Sequence, residues 1–266
     1  DNKFVAKKKT EKLFKILNSK KGHNKKDIEF LKGCWKINDT IGEIIAKYDT
    51  SIFYTDLLIK RIIHTLKEEH LFKNTIIFIF ADHGESLGEH GLYFTHEGLY
   101  DVTLNVPLII FGGKISANKK IGALTQLEDI APTVLELIGI NYDPFLFDGK
   151  TLVPLFTYKK DEIRDSIFIE ENVAGLKRIA VRTKKYKYIE SPDKEHTVCK
   201  LCGTSHGPLI ALYNLKKDPG EMQNLAEKDK KLSKEMKTKL DNSIKNLKTL
   251  AEKRRIKKLI NKITSV

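Results

Sequence analysis

The chain has 266 residues, 41% of them hydrophobic and 31% charged, which is the balance of a globular protein long enough to bury a sizeable core. Its longest apolar run, residues 76–81, falls far short of the roughly 20 residues a membrane helix needs, and three cysteines make no disulfide framework. The net charge of +13 sits in two lysine-rich stretches, +7 over residues 1–32 and +10 over 228–262, leaving −4 between them; with few arginines and no interleaved aromatics these read as solvated helix faces rather than a specific nucleic-acid site.

Residues 11–70 read as helices. Within 49–70, Ile52, Phe53, Leu57, Leu58, Ile62, Ile63 and Leu66 recur at helical spacing. Asn74-Thr75 then breaks into TIIFIF, a strand apolar on both faces, as expected of an interior parallel strand covered by helices. A second such strand, VPLIIF at 106–111, ends at Gly112-Gly113. Between the two lies a loop of about 25 residues rich in Gly, His and Glu, a length that points to function. Residues 125–138 are periodic as a helix stopped by Gly139.

Helix and strand thus alternate up to about residue 156, the pattern of a doubly wound α/β sheet. After the polar break at 159–161 come short β-type segments at 166–170, 177–183, 186–190 and 210–215, which predict a small antiparallel subdomain. A final helix carries Leu232, Met236, Leu240, Ile244 and Leu247 on one stripe. The expected organisation is therefore a partial, mostly parallel α/β sheet over residues 1–158, followed by a C-terminal α+β subdomain over 159–266 that ends in a Lys-rich helix.

Ligands of open α/β sheets bind at the carboxyl ends of strands, and TIIFIFA ends there in Asp82-His83-Gly84. Gly84 lets the chain turn so that both side chains converge. One reading is a divalent-cation site, the carboxylate supplying an oxygen and the imidazole a nitrogen. The plainer reading is an Asp that caps the turn beside a locally bonded His. A second candidate is His196-x2-Cys199-x2-Cys202-x3-His206, which has the ligand types and spacing of a structural zinc knuckle; chance spacing is the alternative.

TIIFIFADHGESLGEHG, then LYD, VPLIIFGG, LEDIAPTVLELIGI and DGKTLVPLF, in that order, resemble the C-terminal half of the sulfatases of the alkaline phosphatase superfamily. DTSIFYTDLLIKRIIHTL upstream and YKYI…ALYNLKKDPGEMQNLA downstream extend the resemblance to about residues 45–228. It implies that Asp82 and His83 bind a divalent metal, calcium first, with manganese or zinc as alternatives. It also implies a substrate that is a sulfated small molecule or glycan. Where such proteins commonly place a sulfate-contacting Lys, this chain has Thr95, followed by His96, which is either the natural substitute as donor to an anionic oxygen or a residue of loop structure.

His90, inside GEHG, reads as part of a turn, and the resemblance speaks against a zinc site built from His83, His90 and His96. Asp56, Asp101 and Asp129 fall at familiar positions where helix and loop structure is the expected job, and His23, His64 and His70 read as exposed. The two N-terminal acidic ligands and the C/S-x-P-x-R motif that matures to formylglycine do not occur in these 266 residues, because Cys34 stands in KGCWKIN and reads as a buried helix residue. The expectation is a sulfuric ester hydrolase segment that lacks its nucleophile. A phosphodiesterase or phosphonate monoester hydrolase of the same superfamily is the first alternative, and a non-catalytic binding module the second. Compartment and oligomeric state stay open.

Overall fold

The computed structural model describes residues 41–264 apart from 114, 116–117, 158–159, 201–202 and 204. The helices expected before residue 41, with His23 and Cys34, and the residue Cys202 lie outside the described set. The described chain divides into two compact units, one of residues 41–78 with 109–113, the other of 79–108 with 115–264.

The first unit opens with α1 (Ile41–Glu68), a 28-residue helix. Thr50, Ser51 and Thr55 turn their hydroxyls back onto carbonyls four residues earlier, at 2.7–2.9 Å, so these polar side chains satisfy themselves along the helix. The helix stops where His70 takes a left-handed conformation, φ 56°. Leu71 N–H then reaches back to Leu66 O and His70 N–H to Lys67 O, the paired bonds that close a helix C-terminus. Of its apolar residues, Ile45 is buried while Ile52, Phe53, Tyr54, Leu57, Leu58 and Ile62 are exposed. Strands β1 (Ile76–Phe80) and β4 (Leu108–Gly112) pair with one another. Gly112 is required there: its φ is 98°, and a Cβ would sit 2.2 Å from Thr75 O.

The second unit is organised around a four-stranded antiparallel sheet in sequential order, β5 (Ser166–Val173), β6 (Leu176–Thr183), β7 (Tyr186–Glu190) and β8 (Ile210–Asn214). All four fall where the sequence predicts them, within a few residues. Register pairs Ala180 with Ile189 and Val181 with Tyr188, then Ile189 with Ala211 and Tyr188 with Leu212. Alternation therefore sends Ala180, Ile189, Ala211 and Tyr213 to one face, where they pack with Leu92, Leu99 and Tyr100. Val181, Tyr188 and Leu212 face the other way, against Ala226, Met236 and Leu240.

Met236 and Leu240 belong to α5 (Lys230–Thr264), whose first turn is capped by Asp229 Oδ1 accepting from Leu232 N–H at 3.0 Å. Leu240 is wholly buried, worth roughly 1.5–3 kcal/mol of transfer free energy. The lysine-rich side of α5 is partly neutralised: Lys237 pairs with Glu190 and Asp241, Lys239 with Asp165, Arg254 with Asp148 and Lys257 with Asp143. Among the described residues no helix is long and apolar enough to cross a membrane.

Short elements fill the rest of this unit: β2 (Ser86–Leu87) paired with β3 (Tyr93–Thr95), α2 (Asp101–Leu104), α3 (Ile130–Leu137) and α4 (Val153–Phe156). The expected helix over 125–138 is a 3-10 turn at Leu127–Asp129 leading into α3. Asp129 is fully buried at this junction. Its carboxylate accepts from both Arg164 guanidinium nitrogens at 2.5 Å, from Gln126 N–H at 2.8 Å and from Lys150 N–H at 2.7 Å. Thr133 adds a hydroxyl that accepts from Leu152 N–H at 2.8 Å. The DGKTLVPLF segment is thereby tied to the start of α3, so Asp129 has the structural job its position suggests.

Candidate functional site

β1 ends at Phe80, and two residues later Asp82 and His83 reach the wall of a cavity of about 800 Å³ in the second unit. His96, Arg182, Lys184, Glu128 and Glu170 share that wall. Gly84 follows, and its φ is not positive. The position demands glycine for another reason: a Cβ would lie 2.2 Å from Val102 O and 3.1 Å from Thr103 Cα, while Gly84 N–H donates to Thr103 O at 2.8 Å. Gly84→Ala should therefore cost about 1–3 kcal/mol of stability through overpacking against backbone. Urea unfolding would read this, and a loss of only a few tenths would show that the loop yields freely.

Asp82 is exposed and accepts from His83 N–H at 3.0 Å through Oδ1. Its Oδ2 lies 3.7 Å from His83 Nε2. His83 Nδ1 stands 2.9 Å from Gly84 O, and a carbonyl can only accept, so Nδ1 carries a proton and, in the neutral ring, Nε2 offers its lone pair. The His96 ring stacks on that of His83 with centroids 4.3 Å apart, and His96 Nδ1 is 4.0 Å from Glu85 Oε2. Burial pushes the Glu85 carboxyl above its usual range, against the opposing pull of His96 and His83.

His83, Glu85 and His96 thus form one of two groups of described residues that could hold a metal ion. Glu85 was missed in the sequence because it is the β2–β3 pairing, Ser86 opposite Thr95, that sets it beside His96. Arg182 and Lys184 were missed because they stand at the end of a strand read only for its periodicity. Thr95 lies next to the cavity residues without lining it, its hydroxyl accepting from Glu97 N–H at 3.3 Å. His90 sits in the turn expected for it, left-handed with φ 59°, its ring stacked on Tyr100 at 3.6 Å between centroids.

One face of the antiparallel sheet approaches this region with charge. Arg182 on β6 and Lys187 on β7 are directly opposed in register, and both bind Asp101: Arg182 at 2.7 Å, Lys187 at 2.5 Å. Lys187, wholly buried, also meets Glu221 at 2.7 Å and donates to Leu99 O at 3.2 Å. Burial alone would raise the Asp101 carboxyl, but Arg182 and Lys187 hold it below the ordinary range; for Glu221 burial wins and the carboxyl is raised.

The second group that could hold a metal is Glu97, Cys199 and His206. Two residues of the expected zinc loop meet here, with Glu97 arriving from the β3 side. His196 is directed elsewhere, its Nδ1 2.8 Å from Asp193 Oδ1. His206 is buried, and that burial together with the Arg178 charge lowers its imidazole to about 4, so the ring is neutral at pH 7. Asp56 is exposed on α1.

Comparison with known proteins places these features in context. A family model described as Sulfatase matches residues 3–140, and one described as N-sulphoglucosamine sulphohydrolase, C-terminal, matches residues 88–249. Arylsulfatase K of Canis lupus familiaris is 30% identical over 198 residues, which is 71% of this chain and 34% of that protein. Among solved structures, a protein bound to its substrate D-glucosamine-2-N,6-O-disulfate matches with TM-score 0.68 at 24% identity, covering 79% of this chain and 42% of that one, a likeness of fold. A 2-O GAG sulfatase matches with TM-score 0.57 at 28% identity, over 74% and 42%. The chain spans about a third of the length of the curated relatives it matches.

Proposed function

The chain belongs to the sulfatase family, and on that premise we propose that it forms the metal- and anion-binding part of a hydrolase of sulfate esters. The observation that carries this reading is the pairing at the end of β1. The Gly84 carbonyl fixes the His83 tautomer, which leaves Nε2 as a ligand nitrogen 3.7 Å from a carboxylate oxygen of Asp82. Two ligands of one cation stand about that far apart when each is 2.0–2.6 Å from the ion. Asp82 and His83 are the proposed metal ligands and calcium the proposed ion, with manganese or zinc as the alternatives that a nitrogen ligand admits.

A divalent cation held by Asp82 and His83 would supply positive charge against an ester oxygen. His96, Arg182 and Lys184 then supply donors to the remaining sulfate oxygens, with Thr95 as a neighbour that holds the His96 loop. The relatives' sulfated sugar and GAG substrates support a sulfated small molecule or glycan as the substrate. Residues 1–158 would form the catalytic-domain part and 159–266 the C-terminal subdomain. The division is supported by the sheet β5–β8 and α5 falling wholly within the second segment.

The test uses a chromogenic aryl sulfate. Joined to a segment that carries a C/S-x-P-x-R motif, the chain should turn the ester over. Asp82→Ala and His83→Ala should each lower kcat/KM by about 100-fold or more. The 266 residues alone should show no turnover, since no nucleophile motif lies within them. Faster hydrolysis of a phosphonate monoester than of the aryl sulfate would move the assignment to the other branch of the superfamily.

A further inference from the structure

We propose that Glu97, Cys199 and His206 bind a structural zinc ion that pins the loop carrying His96 to the antiparallel sheet. The three come from two distant stretches of chain. Cys199 and His206 are 1% and 3% exposed, and the Glu97 side chain 15%. Their ligand atoms all lie within 4.8 Å of one another.

The His206–Glu97 separation suits a shared metal better than a direct charge-assisted bond. His206 Nδ1 is 3.4 Å from Glu97 Oε2, and the Cys199 thiol, which donates to the same oxygen at 3.7 Å, stands where deprotonation would turn it into a ligand. A charge-assisted N–H···O bond closes to about 2.7–2.9 Å. Tetrahedral zinc, with bonds of about 2.3 Å to sulfur and 2.0–2.2 Å to nitrogen and oxygen, instead sets ligands about 3.4 Å (N···O) and 3.6 Å (S···O) apart. A thiolate, a carboxylate and a neutral imidazole also balance the two charges of the ion.

Backbone bonds hold the ligands in place independently of any ion. His206 N–H donates to Thr197 O at 2.9 Å, and Gly203 N–H to Cys199 O at 2.8 Å. Val198 and Ser205 are bridged, so Cys199 and His206 flank one tight loop. Lys200 N–H ties that loop to Ala174 O at 2.7 Å. On the other side, Gly98 N–H donates to Glu171 Oε1 at 2.6 Å, anchoring the residue after Glu97 to β5. Glu97 directly follows His96, so a cation here would fix the backbone of a cavity residue without entering the cavity.

The experiment reads metal and not turnover, so it is separable from the sulfatase assignment. The full 266-residue chain, purified and dialysed, should retain about one zinc per chain. Replaced by cobalt(II), the site should show thiolate-to-cobalt charge transfer in the near ultraviolet, lost in Cys199→Ala. Glu97→Gln, a nearly isosteric change, should keep the circular dichroism of the parent and weaken zinc binding by about 10-fold or more. A parent chain without a thiolate–cobalt band, or a band that persists in Cys199→Ala, overturns the proposal. So does unchanged zinc affinity in Glu97→Gln.

Discussion

Asp129→Ala is expected to destabilise the chain by about 3–5 kcal/mol, the cost of breaking a buried ion pair from one side. The Arg164 side chain is 7% exposed and that of Asp129 0%, so removing the carboxylate strands a guanidinium where water cannot reach it. Two backbone N–H groups, of Gln126 and Lys150, lose their acceptor at the same time. Asn at this position keeps the shape and part of the hydrogen bonding, so Asp129→Asn should fall between the parent and the alanine variant. Denaturant midpoints of the three proteins would decide it. Equal midpoints for alanine and asparagine would mean that the charge contributes nothing and that shape alone is held there.

Lys187→Met should cost a similar amount. Methionine fills the space of the lysine stem but leaves Asp101 and Glu221 without the ammonium that lies 2.5 and 2.7 Å from them. Asp101 retains Arg182, whereas Glu221 keeps, among the described residues, its bond from Asp101 N–H at 2.6 Å. The deficit should depend on pH. Burial already raises the Glu221 carboxyl, and losing Lys187 raises it further. A carboxyl raised in the folded state favours folding at low pH, and that contribution fades as pH rises through the folded value. The gap between variant and parent should therefore narrow as pH falls from 7 towards 4.5, the ordinary Glu value. A gap that widens over that range would show that Glu221 is not the group left exposed to repulsion.

Local pattern made much of the fold readable. Strands β5 to β8 and the stripe of α5 follow from period-2 and period-3.6 apolar spacing, and the ends Tyr186 and Glu190 of β7 fall where the sequence puts them. Strand β4 shows the limit. VPLIIF suggests a start at Val106, but the strand begins at Leu108, after Pro107, which has no N–H to donate. The site was legible only in part, for a related reason. Asp82 and His83 are adjacent in sequence and stand at a strand end, a local signal. The approach of Glu85 to His96 depends on the pairing of Ser86 with Thr95, and Glu97 meets Cys199 across about a hundred residues, which no spacing rule encodes. Lys187 was hidden for the opposite reason: a lysine between two tyrosines on a strand reads as exposed, and only two distant carboxylates allow it to be buried.

Arg182 lines the cavity with its side chain while its guanidinium is bound to Asp101. One residue therefore serves both the ligand wall and the charge lattice that holds the sheet in place. A lineage or an engineer altering ligand preference could not exchange Arg182 freely, because each change would also unbalance Asp101, Lys187 and Glu221. Lys184 and Glu170 are among the positions that line the cavity without belonging to that lattice. Lys184 pairs with Glu162 at the surface, and Glu170 faces the cavity from β5. Evolvability in this protein is thus divided: a fixed cationic anchor at Arg182, and beside it a short stretch of wall where new specificity can be tried at little risk to the fold.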